Sequence, residues 1–284
     1  MIDLHTHSNY SDGTFSPEGL IKEAEKNCLL ALALTDHDTA EGVRNLKNFD
    51  FPFKFVSGIE LSLQYDNDLR FHIVGLFIEP EAEEVFRIEN LQKNYREERN
   101  LKILEKLKNL NYDISYEEVK REARKTVGRM HFANCLVKKG YFKKPEDAIS
   151  ALLKTGKPAF VERKRLNIQE GIESIKKMKG ISIVAHIGKE LTDFEKIEEV
   201  LKKMKDFCVD GVEVYHSDHS IEMTKFLKKI SKKYSFVVSG GSDFHGFNKE
   251  KVKIGIGRGN LKIPFKIYNN LLEYWTKKIY NNIS

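Results

Sequence analysis

Apolar positions follow two rhythms along this chain. Met1–Leu4, Leu29–Leu34, Phe53–Leu63 and Phe71–Ile78 are short runs of strand length, the last two separated by the polar turn Asp66-Asn67-Asp68. Ser16-Pro17 opens a helix between the first two runs, with a capping hydroxyl and proline at the first turn. The alternation resumes late in the chain. Helices are expected near Ile168–Met178, Phe194–Met204 and Ile221–Tyr234, strands at Ile181–Ala185, Gly211–Tyr215 and Phe236–Ser239, and a closing helix at Phe265–Ile279. Strands alternating with helices predict a parallel sheet in an α/β fold, a barrel or something near it.

Between about residues 88 and 165 this rhythm stops. Ile88, Leu91, Tyr95, Leu101, Leu104 and Leu107 recur at helical spacing, and further helices are predicted near Tyr116–Lys125, His131–Lys138 and Pro145–Leu153. The expected organisation is a barrel from residues 1–87 and 166–284, carrying residues 88–165 as a helical insertion that acts as a substrate-binding lid.

The histidines fall where this pattern places strand ends. His5 and His7 leave one face of the first strand, and His37 follows the second within Thr35-Asp36-His37-Asp38. Glu60 lies in the third run and His72 begins the fourth. His186 and His216 end later strands, and Asp243 with His245 follows the last. A lone strand-end histidine is usually structural, but strand ends of an α/β barrel converge on one rim, so this set is expected to form one site.

Composition sharpens the expectation. The chain has 284 residues, 40% hydrophobic and 32% charged, enough for one large domain with an insertion. Its net charge of +6 conceals an asymmetry: residues 1–90 hold 7 Lys+Arg against 17 Asp+Glu, residues 91–165 hold 20 against 10. An acidic first third favours cations, and a basic middle favours an anionic substrate, although most such lysines simply face water. No apolar run is long enough to span a bilayer, the chain opens almost at once on a histidine-bearing strand rather than a signal peptide, and Cys28, Cys135 and Cys208 are scattered. A cytoplasmic protein with reduced thiols, no membrane association and no inferred protein partner is expected.

Imidazoles and carboxylates without thiolates suit Mn²⁺ best, with Fe²⁺ or Zn²⁺ as alternatives. Clustered cations of this kind polarise a phosphoryl oxygen and supply hydroxide near neutral pH, so no protein nucleophile is assigned. Asp36 and Asp38 are candidates to orient ligand imidazoles from behind.

These segments resemble the PHP (polymerase and histidinol phosphatase) phosphoesterase superfamily. The similar stretches are His5-Thr6-His7-Ser8-Asn9-Tyr10-Ser11-Asp12-Gly13, Thr35-Asp36-His37-Asp38-Thr39, Gly58-Ile59-Glu60, Ala185-His186 and Gly240-Gly241-Ser242-Asp243-Phe244-His245. Within it the chain looks closest to the short bacterial branch that hydrolyses nucleoside 3′,5′-bisphosphates and trims 5′-phosphorylated RNA, because Gly128-Arg129-Met130-His131-Phe132-Ala133 is similar to a segment of that branch's insertion.

The resemblance implies a distorted (β/α)7-type barrel and two to three divalent ions. By it, His5, His7, Glu60 and Asp243 hold one metal. Glu60 bridges to a second with His72 and His186, and Asp12, His37 and His245 hold a third. Arg129 and His131 would bind substrate phosphate, and His216 would touch substrate. Two departures stand out: Ile187 replaces a proline common after Ala-His, and Tyr215-His216-Ser217-Asp218-His219 is unusually rich in histidine, with His219 read as a helix-start residue. Lys157 is read as solvated. The competing functions are a histidinol-phosphate phosphatase and a metal-stabilised binding module without catalysis.

Overall fold

The computed structural model describes residues 1–66, 69–123 and 127–281, with backbone alone for the last two. Asn67 and Asp68 of the expected turn, and Arg124 and Lys125 of the expected helix, lie outside these ranges. The chain divides into two compact units, Met1–Ile88 with Leu166–Ser284, and Glu89–Arg165.

The first unit is a seven-stranded sheet whose order follows the chain: β1 Ile2–Asp3, β2 Ala31–Leu34, β3 Lys54–Gln64, β4 Arg70–Leu76, β5 Ile181–Val184, β6 Gly211–His216 and β7 Val237–Gly241. It curls into a nearly closed barrel. Across the seam, Leu4 N donates to Gly240 O at 3.2 Å, Asp243 N to His5 O at 2.9 Å and His7 N to Phe244 O at 2.9 Å. Gly241 makes this approach possible, because a Cβ there would sit 2.3 Å from His5 Cβ.

The period-two pattern of β2 explains its packing. Ala31 and Ala33 face the core shared with Ile2, Leu4, Ile181 and Ile183, while Leu32 and Leu34 face the opposite way, onto Leu20, Ile21 and Ala24 of α1 (Pro17–Lys26). Each such fully buried Leu or Ile contributes about 1.5–3 kcal/mol. Ser16 caps α1 by accepting from Gly19 N, with Pro17 at the first position, as the sequence predicts. The carboxyl-terminal helix Phe265–Asn281 adds Tyr268 and Leu271 to the first core.

One expectation fails in an instructive way. The sheet is parallel except at β4, which runs antiparallel to both β3 and β5. A connection as short as the one after Gln64 can only reverse the chain, since a parallel crossover needs a dozen residues or more. His72 is the third residue of β4, so the reversal brings it to the rim where other strands end.

The second unit has its own core of Ile103, Leu107, Val119, Phe132, Leu136, Leu152 and Leu153. Its helices are α2 (Glu83–Asn109, entering from the first unit), α3 (Tyr116–Arg121), α4 (Arg129–Lys138) and α5 (Pro145–Ala148), which continues as a π-turn to Leu153. Leu101, expected on the apolar stripe, is exposed. It lies six residues from Leu107, about 120° round the helix, and faces away from the core.

Candidate metal centre

Each strand end delivers its side chains through the sheet ladder. His5 and His7 continue β1 alongside Asp243 and His245 beyond β7, where Thr6 pairs with Phe244. His37 bridges to Glu60 of β3, with Asp38 N donating to Glu60 O and Glu60 N to Asp36 O. Ala185 N donates to His72 O, which sets His186 beside His72. Neighbouring strands thus hand the donors round the rim pairwise.

Glu60 lies at the centre, fully buried. Its Oε1 is 2.9 Å from His72 Nδ1, 3.0 Å from His186 Nε2 and 3.3 Å from His5 Nε2; its Oε2 is 2.9 Å from His37 Nδ1 and 3.2 Å from His7 Nε2. Asp243 Oδ1 is 3.4 Å from His7 Nε2 and from His245 Nδ1, and Asp12 Oδ1 is 3.1 Å from His245 Nε2. Three overlapping groups have donor atoms within 4.8 Å of one another: His7, Asp12, His37 and His245; His5, His7 and Glu60; His37, Glu60 and His72.

This donor set fits divalent cations. His5 Nε2, His7 Nε2, His37 Nδ1, His186 Nδ1 and Glu60 Oε2 are buried without a hydrogen-bond partner, an arrangement that costs free energy unless something else binds them. The charges agree. Burial pushes Glu60 up, but His37, His5 and His72 outweigh it and hold its carboxyl well below the ordinary range. Asp243 is likewise driven well below, against its burial, chiefly by His216 and His7. Burial lowers His186 to about 4, leaving a neutral imidazole fit for ligation. Burial also opposes the charge on His7, yet the carboxylates of Asp243 and Glu60 beside it raise it to about 9, so a metal entering there displaces a proton.

Backbone strain gathers at this rim. His186, Asp38 and Asp243 have φ of 25°, 57° and 58°, a region costly for residues with a side chain and common at functional sites.

Sequence reasoning missed Glu213. From the middle of β6, its Oε1 meets His5 Nδ1 at 3.0 Å and its Oε2 accepts from His186 N at 2.8 Å. One buried carboxylate therefore orients one donor ring and pins the strained loop of another. Its signal was a lone acid within the apolar run Gly211-Val212-Glu213-Val214-Tyr215. Asp36, expected to orient an imidazole, accepts instead from Ser8 N, Ser8 Oγ and Ser11 Oγ at 2.6–2.7 Å and braces the loop between His7 and Asp12. Asp38 accepts from Ser62 N. His216 is buried, its Nε2 3.6 Å from Asp243 Oδ2. His219 lies just before the cap of the helix Ile221–Lys233, its Nδ1 against Val214 O and its Nε2 accepting from Gly188 N.

Arg129 and His131 belong to the second unit. His131 Nδ1 accepts from Gly128 N at 2.8 Å, so a neutral ring keeps Nε2–H as a donor. Arg129 is exposed, with Nη1 3.3 Å from Leu153 O. Burial, reinforced by Arg163, Arg96, Arg129 and Arg165, lowers Arg99 to about 10. These guanidinium groups gather positive charge within that unit, with Glu162 paired to Arg165. Lys157 is exposed.

A PHP domain model matches residues 3–217. The chain is 30% identical over 245 residues to the 5′-3′ exoribonuclease of Haemophilus influenzae, covering 86% of this chain and 89% of the relative. It is 29% identical to the 3′,5′-nucleoside bisphosphate phosphatase of Chromobacterium violaceum, covering 86% and 87%. A Bifidobacterium adolescentis protein described as a metal-dependent phosphoesterase superposes with a TM-score of 0.75 at 25% identity, over 95% of each chain. With the donor rim and the nearly closed seven-stranded barrel, these matches make the chain a member of the PHP domain family of metal-dependent phosphoesterases.

Proposed function

We propose that this protein hydrolyses the 3′ phosphoester bond of 5′-phosphorylated nucleotides, nucleoside 3′,5′-bisphosphates among them, and trims 5′-phosphorylated RNA from its 5′ end. The observation that carries the reading is the buried rim around Glu60, where imidazole nitrogens crowd its two oxygens at 2.9–3.3 Å and several of these atoms make no hydrogen bond. His5, His7, Glu60 and Asp243 would hold one cation, Glu60, His72 and His186 a second, and Asp12, His37 and His245 a third; Mn²⁺ suits this oxygen and nitrogen set. Such cations, when bound, polarise the phosphoryl group and lower the pKa of water.

The protein's own residues do the rest. Glu213 holds the His5 ring in place, and Asp36 braces the loop that presents Asp12. His216, buried against Asp243, is read as a contact to a phosphoryl oxygen. Arg129 and His131 are read as binding the substrate's other phosphate, a role that suits a guanidinium fork and an imidazole N–H donor. The arginine group that lowers Arg99 supports this, since it gathers positive charge in the same unit as Arg129. The names of the H. influenzae and C. violaceum relatives favour this substrate class over histidinol phosphate.

Glu60→Gln tests the centre. It keeps the shape of the side chain and removes the charge that two cations would share, so metal content after reconstitution with Mn²⁺ and phosphate release from adenosine 3′,5′-bisphosphate should fall together. A wild-type protein holding one metal ion or none would remove the multinuclear reading.

A further inference from the structure

We propose that Phe247, on the turn that follows the last metal donors, is a stacking platform for a nucleobase of the substrate; the inference rests on the nucleotide reading above. Phe247 is 73% exposed, the most exposed of the large hydrophobic residues among those described. A single exposed phenylalanine is ordinary on a protein surface. This one differs in how firmly it is held and where.

The turn Gly246–Lys249 is tied to the loop that carries Asp12. Phe247 N donates to Thr14 Oγ1 at 3.0 Å, and Asn248 Nδ2 donates to Asp12 O at 2.7 Å. Gly246 has φ of 65°, and a Cβ there would lie 2.1 Å from Thr14 Oγ1, so the turn seats only because that position is glycine. One side of the Phe247 ring stacks on Phe15, with centroids 5.5 Å apart and planes 27° apart, and Phe15 leans on Phe244 at 5.6 Å. The ring is thus backed by a fixed partner while most of its surface remains open to solvent.

Its surroundings suit a nucleotide. Phe247 lies two residues past the donor His245 and is bonded through its turn to the donor Asp12. On the same turn, Lys249 Nζ is 2.6 Å from Asp243 Oδ2, and Lys189 Nζ approaches the same oxygen at 4.0 Å. An aromatic face beside a centre that engages phosphate is one way proteins hold single-stranded nucleic acid without reading its sequence. A bare phosphate would have no use for the ring.

The test is equilibrium binding to the metal-loaded protein. The probe is a fluorescent 5′-phosphorylated oligoadenylate with phosphorothioate linkages to slow turnover, and tripolyphosphate is the competitor without bases. Phe247→Ala should weaken oligoadenylate binding by about 5- to 150-fold, the range associated with losing one base–aromatic stack, and Phe247→Trp should restore it. Tripolyphosphate affinity and metal content should not change. Unaltered oligoadenylate affinity, or an equal loss for tripolyphosphate, would overturn the proposal. Failure of the wild-type protein to cleave an ordinary 5′-phosphorylated oligoadenylate in Mn²⁺ would count against the nucleotide reading alone, since binding is scored separately.

Discussion

Glu213 carries the sharpest expectation at the scale of single residues. Its carboxylate meets the ring of His5 with one oxygen and the backbone of His186 with the other. Burial opposes its charge, but the neighbouring His5, through charge and hydrogen bond, brings it down to about 2. Glu213→Gln should therefore lower metal affinity or turnover by about 10- to 100-fold, the usual effect of removing a group that orients a metal-binding histidine. Metal titration against a competing chelator checks this, and an unchanged affinity with unchanged turnover would make Glu213 merely a buried structural acid. The contrast with the histidines shows what a sequence reveals. His5, His7 and Asp243, His245 announce themselves because i, i+2 pairs at strand ends can only share a face. Glu213 gives no comparable signal, because its importance lies in a hydrogen bond to a residue 208 positions away. Phe247 was equally silent, since only three-dimensional exposure separates it from a core aromatic.

Elements explain both the success and the error in reading the fold. Periodicity located every strand of the barrel, because each is a short apolar run bounded by polar residues. Strand direction at β4 was not in the periodicity; it follows from the length of a connection. The short helix Ile187–Glu190 was also missed, since four residues are too few to show a period. Gly188, in that helix, is held by His219, whose ring burial lowers to about 4, with His216 nearby reinforcing the effect. A depressed pKa means that the unfolded chain takes up the proton first. The neutral ring's contribution is complete above about pH 6.5 and is lost as pH falls toward 4. His219→Gln, which cannot titrate, should show a smaller fall in urea midpoint between pH 6.5 and 4 than the parent, both metal-free; parallel curves would contradict the assignment. In the second unit, Arg129 opens α4 and belongs to the arginine group that lowers Arg99. Arg129→Ala should weaken adenosine 3′,5′-bisphosphate binding by roughly 10- to 150-fold, the loss of one charge-assisted pair at about 1.5–3 kcal/mol, without changing metal content. Isothermal titration of the two proteins compares these directly, and equal affinities would return Arg129 to the solvated surface.

At the scale of the whole molecule, charge and architecture tell one story. Residues 1–90 are acidic by 10 charges and contribute Asp12 and Glu60, while residues 91–165 are basic by 10 and contribute the arginine group. The first unit carries the candidate cation centre, and the second, taken by itself, carries the positively charged arginine group. Among the described residues no helix is long and apolar enough to cross a membrane, and all three cysteines are free. A metal cluster alone would hydrolyse many phosphomonoesters with little preference, whereas holding a second phosphate positions the scissile one and raises turnover as well as affinity. The most direct measurement is phosphate release by the Mn²⁺-loaded protein from adenosine 3′,5′-bisphosphate, adenosine 3′-monophosphate and histidinol phosphate, each with and without prior chelation. The expected result is metal-dependent release that is fastest from the bisphosphate. Equal rates on the two adenosine substrates, or faster release from histidinol phosphate, would contradict it.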